Sequence, residues 1–165
     1  MEIMLRDWLD SDAEWYVQQA RDPETLRFTT ERESLTVEEF RAALHRLRHD
    51  DDALGYVVVD AAAGIRLANI AAARKGDVAS VSYWVAPAAR GQGVAGRALK
   101  ELCQRVADTW PVTEIRLWTH AENLASQRVA ENAGFIACTG DGETKEIKGR
   151  QWPVRWYRRC PARTE

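Results

Sequence analysis

The chain is short of the residues that would build a stapled or metal-centred protein. Its three cysteines, Cys103, Cys138 and Cys160, are scattered and odd in number. There is no CxxC and no Cys/His cluster at zinc-ligand spacing, which argues against a disulfide framework and a structural zinc. Cys103 falls at a predicted buried helix position, where it reads as a small apolar filler. The three histidines, His45, His49 and His120, form no metal pattern. His45 and His49 can share a helix face, but no acidic third ligand accompanies them, so no metal is expected. A one-sided charge is missing too: 23 Lys and Arg against 25 Asp and Glu leave a net charge of −2. A nucleic-acid binder needs a basic stripe, so nucleic acid is not expected as a partner. No apolar run is long enough to span a membrane. The N-terminus, MEIMLRDWLD, puts charges where a signal peptide needs an apolar core. A cytoplasmic protein without a membrane partner is therefore the default.

What is present suits one domain: 165 residues, 45% of them hydrophobic, can bury a core without staples. Ile3 to Trp8 can make a strand. Ser11 and Asp12 are helix caps, and the helix they start runs to Ala20. Arg21-Asp22-Pro23 is a break, followed by a polar loop through Ser34. Thr36-Val37-Glu38-Glu39 is a capping box for a second helix, to about Arg48. The middle changes character. Leu54 to Val59, Ile65 to Ala73 and Val78 to Val85 read as three strands joined by short turns, an antiparallel meander. Val94 to Asp108 is a strong amphipathic helix, with Ala95, Ala98, Leu99, Leu102, Cys103 and Val106 on one face. Glu114 to Thr119 is a strand, and the loop and helix before it are long enough for a crossover between parallel neighbours. Asn123 to Asn132 is a short helix with Gly134 at its C-terminal cap. Phe135 onward is a strand, Asp141 to Gly149 a polar turn region, and Arg150 to Arg159 the last strand. The order is βααβββαβαββ. This is an α/β (α+β) domain over residues 1–165, with a mixed, mostly antiparallel sheet of about seven strands and about four flanking helices.

The segment Arg90-Gly91-Gln92-Gly93-Val94-Ala95-Gly96 is the main chemical signal. A glycine-rich turn between a strand and a helix N-terminus lets backbone N–H groups face an anion, and Arg90 adds positive charge. A plain strand-to-helix turn is the alternative. Gly91 to Gly96 also satisfies GxGxxG. However, a meander precedes it, and His120 rather than an acid follows the next strand, so a dinucleotide site is disfavoured. Arg97-Ala98 lacks the Lys and Ser/Thr of a P-loop.

At this point the chain resembles the GNAT superfamily of N-acetyltransferases. Val85 to Ala95 looks like its first signature. Asn123-Leu124-Ala125-Ser126 with Ala133-Gly134-Phe135 looks like its second. The early strand and the Arg21-Asp22-Pro23-Glu24 loop are similar to the subgroup of ribosomal-protein N-terminal and small-amine acetyltransferases. The resemblance implies acetyl-CoA as donor and a splay between the fourth and fifth strands that takes the pantetheine arm. It would place Trp84 and Val85 beside the arm. The N–H groups of Gly91, Gln92, Gly93, Val94, Ala95 and Gly96 would surround the pyrophosphate, and Asn123 would touch the arm from the other side.

The implied reaction is attack of a neutral amine on a thioester, and amines titrate at about 8 (α-amino) to about 10 (lysine). A base must take a proton, and the oxyanion and leaving thiolate need donors. Ser126 matches the subgroup's partner for the sulfur, against the alternative that it only bonds backbone in its helix. A tyrosine acid from that helix is not available, because Val129 and Ala130 stand where it would be. Many relatives carry a glutamate where this chain has Ser80. The base candidates are therefore His120, Glu122 and a water held by Ser80, with positioning and solvent as the alternative. An acceptor pocket would be made by Arg21 to Ser34, the second helix and the last hairpin. Trp152 and Trp156 are core residues or an aromatic wall there. Asp22, Glu24, Glu31 and Glu33 either attract a cationic amine or form a solvated loop. The acceptor is a protein N-terminal α-amine or a small-molecule amine. A non-catalytic acyl-CoA-binding module and, more remotely, a dinucleotide-binding oxidoreductase are the rival classes. A homodimer is kept as a possible assembly.

Overall fold

The chain opens with an alternating strand, β1 (Ile3–Asp7), and its valine-rich middle supplies β2 (Ala53–Asp60), β3 (Arg66–Lys75) and β4 (Val78–Val85). These four lie side by side, each antiparallel to the next. The computed structural model describes residues 1–138 and 142–162. Among them, the sheet continues with β5 (Glu114–His120), β6 (Ile136–Ala137), β7 (Thr144–Ile147) and β8 (Arg150–Arg159), in the spatial order β1-β2-β3-β4-β5-β8-β6 with β7 hydrogen-bonded to β8. The helices are α1 (Ala13–Ala20), α2 (Pro23–Phe28), α3 (Val37–Arg48), α4 (Val94–Thr109) and α5 (Leu124–Asn132). None of them is long and apolar enough to cross a membrane.

Two elements exceed the sequence expectation, giving eight strands and five α-helices among the described residues. Residues 23–28, expected as loop, form α2. The Asp22 carboxylate accepts the Thr25 N–H at 3.0 Å, and Pro23 occupies the first turn, where a missing N–H costs nothing. Residues 144–147, expected as turn, form β7. It folds back on β8 through Lys148 and Gly149, both at positive φ (51° and 76°), a two-residue hairpin whose twist matches its strands. Asp141, the start of that expected turn, lies outside the described residues. The strand after Phe135 is shorter than expected, two residues of β6.

The sheet separates two cores. On one face α4 buries Leu99, Leu102 and Val106 completely against Ile70, Val81 and Ile115. On the other, α1 and α3 cover β2 and β4 with an aromatic cluster: Tyr16 stacks on Phe40 at 4.1 Å and meets Trp84 edge-on at 5.1 Å. Asp12, expected as a helix cap, turns its carboxylate inward instead. It pairs with Arg6 at 3.0 Å and Arg66 at 2.6 Å, and accepts the Leu9 N–H at 2.8 Å. Burial acts to raise its pKa, but the bonds from Arg6, Leu9 and Arg66 outweigh it and hold the carboxyl at about 2.

The parallel pairing of β4 with β5 is what creates a site. It holds only at Val78–Ser80 against Glu114–Arg116. Beyond it β5 stays paired with β8 as far as His120, while β4 runs on beside β3 to Val85. The two strands splay apart, and the β5-facing edge of β4 from Val81 to Val85 has no strand partner among the described residues.

Candidate active site

The splay has the glycine turn at one end and a cavity at the other. Gly91 and Gly93 sit in the left-handed region, at φ of 75° and 72°, which side-chain-bearing residues avoid. A Cβ at Gly91 or Gly96 would meet nothing within 4 Å, so the space over the turn is open to a ligand. Val94, Ala95 and Gly96 open α4, and their N–H groups have no helical acceptor. Together with the helix dipole they can receive an anion.

Two arginines stand at this turn, the expected Arg90 and also Arg97. The Arg90 guanidinium is engaged by Asp22 at 2.5 Å and Glu24 at 2.9 Å, with the Thr25 hydroxyl at 3.3 Å. Through these two carboxylates Arg90 ties the turn to α2. Burial acts to raise the Asp22 pKa, but the bonds from Arg90 and Thr25 bring it below its usual range. Arg97 is the other arginine at the turn. Its Nε donates to the Gly93 carbonyl at 3.2 Å and an NH2 group to the Gln92 carbonyl at 2.8 Å, and it also bonds the Met1 carbonyl. No carboxylate neutralises it among the described residues.

Across the splay, α5 begins at Asn123, whose side chain accepts the Ser126 N–H at 3.2 Å. This cap uses the amide oxygen. The Ser126 hydroxyl lies 2.8 Å from the Tyr83 hydroxyl on β4. Ser126 therefore meets a side chain across the gap, and not only backbone of its own helix. Tyr83 is half-buried, and burial pushes its pKa up to about 12, with a smaller push from Tyr157 and an opposing effect of the Ser126 bond. The Thr119 hydroxyl on β5 is buried without a hydrogen-bond partner and borders the same gap. An orphan hydroxyl of this kind is what a polar ligand in the gap would satisfy.

The cavity beyond holds about 630 Å³ and is lined by Ser80–Trp84, Leu117–Thr119, Asn123 and Ser126 together with residues of α1 and α3, Phe28 at the end of α2 and the loop residues 29–31. Of the residues singled out in the sequence, Ser80, Trp84, Asn123 and Ser126 come together here. Trp84 packs its indole on Tyr16 on the α1 and α3 side of the sheet, and its Nε1–H donates to Glu31 at 3.1 Å. Only its backbone faces the splay. Val85 packs on the α4-side core. His120 and Glu122 lie outside the lining. His120 accepts the Glu122 N–H at 3.0 Å and packs between Phe28 and Trp152, and Glu122 pairs with Arg27 at 2.7 Å. Trp156 lines the cavity, whereas Trp152 stands behind it against His120 and Trp118.

Sequence reasoning passed over Tyr83, Thr119 and Arg97. Tyr83 alternates with Val81 and Val85, a pattern that signals only a buried face. Its hydroxyl partner comes from α5, which no local pattern reveals. Arg97, one turn into α4, did carry a signal: a cation beside a phosphate-type helix terminus.

A mixed sheet with one splayed parallel pair, an anion-binding helix terminus at its mouth and polar hydroxyls across the gap is the architecture of an acyl-transfer enzyme of the GNAT type. The family model described as an acetyltransferase (GNAT) domain matches residues 2–136, and the chain belongs to that family. No curated protein matches it by sequence. Solved structures share the fold. A spermidine N-acetyltransferase from Vibrio cholerae, in complex with CoA and spermine, superposes with a TM-score of 0.85 at 18% identity, covering 96% of this chain and 95% of that one. The enzyme of Salmonella typhimurium that modifies the N-terminal serine of ribosomal protein L7/L12 gives 0.81 at 18% identity, over 96% and 94%. The microcin C7 self-immunity acetyltransferase MccE, with acetyl-CoA and AMP, gives 0.82 at 14% identity, over 96% and 92%.

Proposed function

We propose that this acetyltransferase passes the acetyl group of acetyl-CoA to a primary amine by direct attack with both substrates bound, from a single domain over residues 1–165. The observation that carries the reading is the Tyr83–Ser126 hydroxyl pair, 2.8 Å apart, where the splay meets the cavity. A donor in the gap and an acceptor in the cavity would meet there. Fold relatives that hold CoA or acetyl-CoA support the donor.

The co-substrate supplies a thioester, an activated acyl carbon with a thiol leaving group. The chain's residues do the rest. Backbone N–H groups from Gly91 to Gly96, with Arg97 beside them, bind the pyrophosphate. The β4 edge at Trp84 and Val85, and Asn123 opposite, flank the extended arm. The orphan hydroxyl of Thr119 gains a partner. Ser126 and Tyr83 donate toward the departing sulfur. With its pKa at about 12, Tyr83 keeps its proton throughout the neutral range. Of the base candidates, Ser80 stands on the cavity wall and can hold a water that takes the amine's proton.

A thiol-release assay with a panel of amines and peptides tests the reading. Release is expected only with an acceptor present. Tight acetyl-CoA binding with no release from any acceptor would leave a binding module instead.

A further inference from the structure

The acceptor end of the cavity carries a charge pattern that narrows the amine, granted the acetyl transfer proposed above. Among the described lining residues, Glu31 is the sole one of the Asp, Glu, Lys, Arg and His types. Its Oε1 accepts from the Trp84 indole at 3.1 Å and from the Tyr16 hydroxyl, both from buried residues. Its Oε2 has no hydrogen bond or ion pair among the described residues. The backbone is held as well. Lys148, outside the cavity lining, donates to the carbonyls of Leu26 and Glu31 at 2.7 and 2.8 Å. The other three carboxylates of this stretch are elsewhere. Asp22 and Glu24 are spent on Arg90, and Glu33 lies off the cavity lining.

A carboxylate oriented by two donors, with one oxygen free of hydrogen bonds and no other charge among the described lining residues, is a seat for a single cation, and the Lys148 ammonium acts on it coulombically from outside that lining. A second buried positive charge would go unpaired, at a large desolvation cost. The same lining includes Phe28, Leu35, Trp118 and Trp156, which give it aromatic and apolar surface, beside the hydroxyls of Thr29 and Thr30. A cavity of about 630 Å³ is of the size that encloses a small molecule.

We infer that the acceptor is a small monoamine with an apolar, aromatic-type body, and that the Glu31 carboxylate seats its ammonium group. Spermidine, with several ammonium groups, leaves charges unpaired here. A peptide would have to place its chain beyond the first residue within a cavity of about 630 Å³.

Quenching of the cavity tryptophans in the CoA-bound protein measures amine binding independently of turnover. The probes are 2-phenylethylamine, its neutral analogue 2-phenylethanol, spermidine and a serine-initiated tripeptide. 2-Phenylethylamine should bind at least tenfold tighter than spermidine or the tripeptide. Glu31→Gln keeps an oxygen for Tyr16 and Trp84. It should weaken 2-phenylethylamine at least tenfold while leaving 2-phenylethanol within twofold. Tighter binding of spermidine or the tripeptide overturns the inference. So does unchanged amine affinity in Glu31→Gln, or an equal loss for amine and alcohol. Binding as expected without thiol release would sink the acetyl transfer and leave the monoamine site standing.

Discussion

The two ends of the splayed gap are built in opposite ways. At the end proposed for the donor the available groups are backbone: N–H groups of the glycine turn and the first turn of α4, with two left-handed glycines before them. At the acceptor end they are side chains brought from far apart, with Tyr16, Glu31 and Trp84 converging on one carboxylate. Backbone recognition is generic, because every residue carries the same N–H, and it suits a common carrier. Side-chain recognition is particular, and it suits an acceptor that differs from one enzyme to the next. The difference teaches that in this chain one end of the gap is shaped by main-chain geometry and the other by a handful of long-range side-chain contacts.

The largest expected effect breaks the donor end alone. Gly93→Trp places a bulky residue at φ 72° in the mouth of the turn. CoA affinity measured by calorimetry should fall at least ~100-fold, about 2.8 kcal/mol, while quenching by 2-phenylethylamine without CoA changes little. Unchanged CoA affinity would remove the cradle. Next, Tyr83→Phe and Ser126→Ala test the seam between the ends. Each should lower kcat by roughly tenfold to a hundredfold through a lost donor, with CoA affinity held within twofold. Equal loss of kcat and CoA binding would make the pair merely structural.

The two arginines at the turn sharpen the contrast further. Arg97→Ala should weaken CoA roughly tenfold, the loss of one charge-assisted bond. Arg90→Ala should leave CoA affinity nearly unchanged and lower the Tm instead, because it unpairs Asp22 and frees α2. The reverse pattern would restore Arg90 as the phosphate ligand. The smallest effects are in pH. Asp12 has its pKa lowered to about 2 in the folded chain, so its contribution is present above pH 3.8 and fades as pH falls toward 2. Tyr83 has its pKa raised to about 12, so its contribution is present below pH 10 and fades as pH rises toward 12. Denaturation scans of Asp12→Asn and Tyr83→Phe should flatten the acid and alkaline limbs respectively. An acid limb that Asp12→Asn leaves in place would assign it to other carboxylates.

Much of the architecture was legible because its causes are local. The Thr36 cap, the apolar face of α4 and the meander each arise within a few residues, by hydrogen bonding and periodicity, although the Glu39 carboxylate accepts from the Thr36 hydroxyl and not, as the expected capping box has it, from the Thr36 N–H. The missed elements were legible in principle. Asp22-Pro23 announces α2 as cap and first residue, but it also reads as a break. Lys148-Gly149 announces a hairpin only if lysine accepts a positive φ.

The sequence by itself determined the donor end: the glycine turn, the helix behind it and the Asn123–Ser126 start of α5, all set by short-range rules. Tertiary structure decided which side chains meet. Tyr83 reaches Ser126 across 43 residues, Trp84 reaches Glu31 across 53, and Arg90 reaches Asp22 across 68. Those encounters depend on strand order, register and the splay of β4 from β5, which no local pattern encodes. That is why four acidic residues looked equivalent in the sequence. Only the fold spent Asp22 and Glu24 on Arg90, set Glu33 off the cavity and left Glu31 facing it.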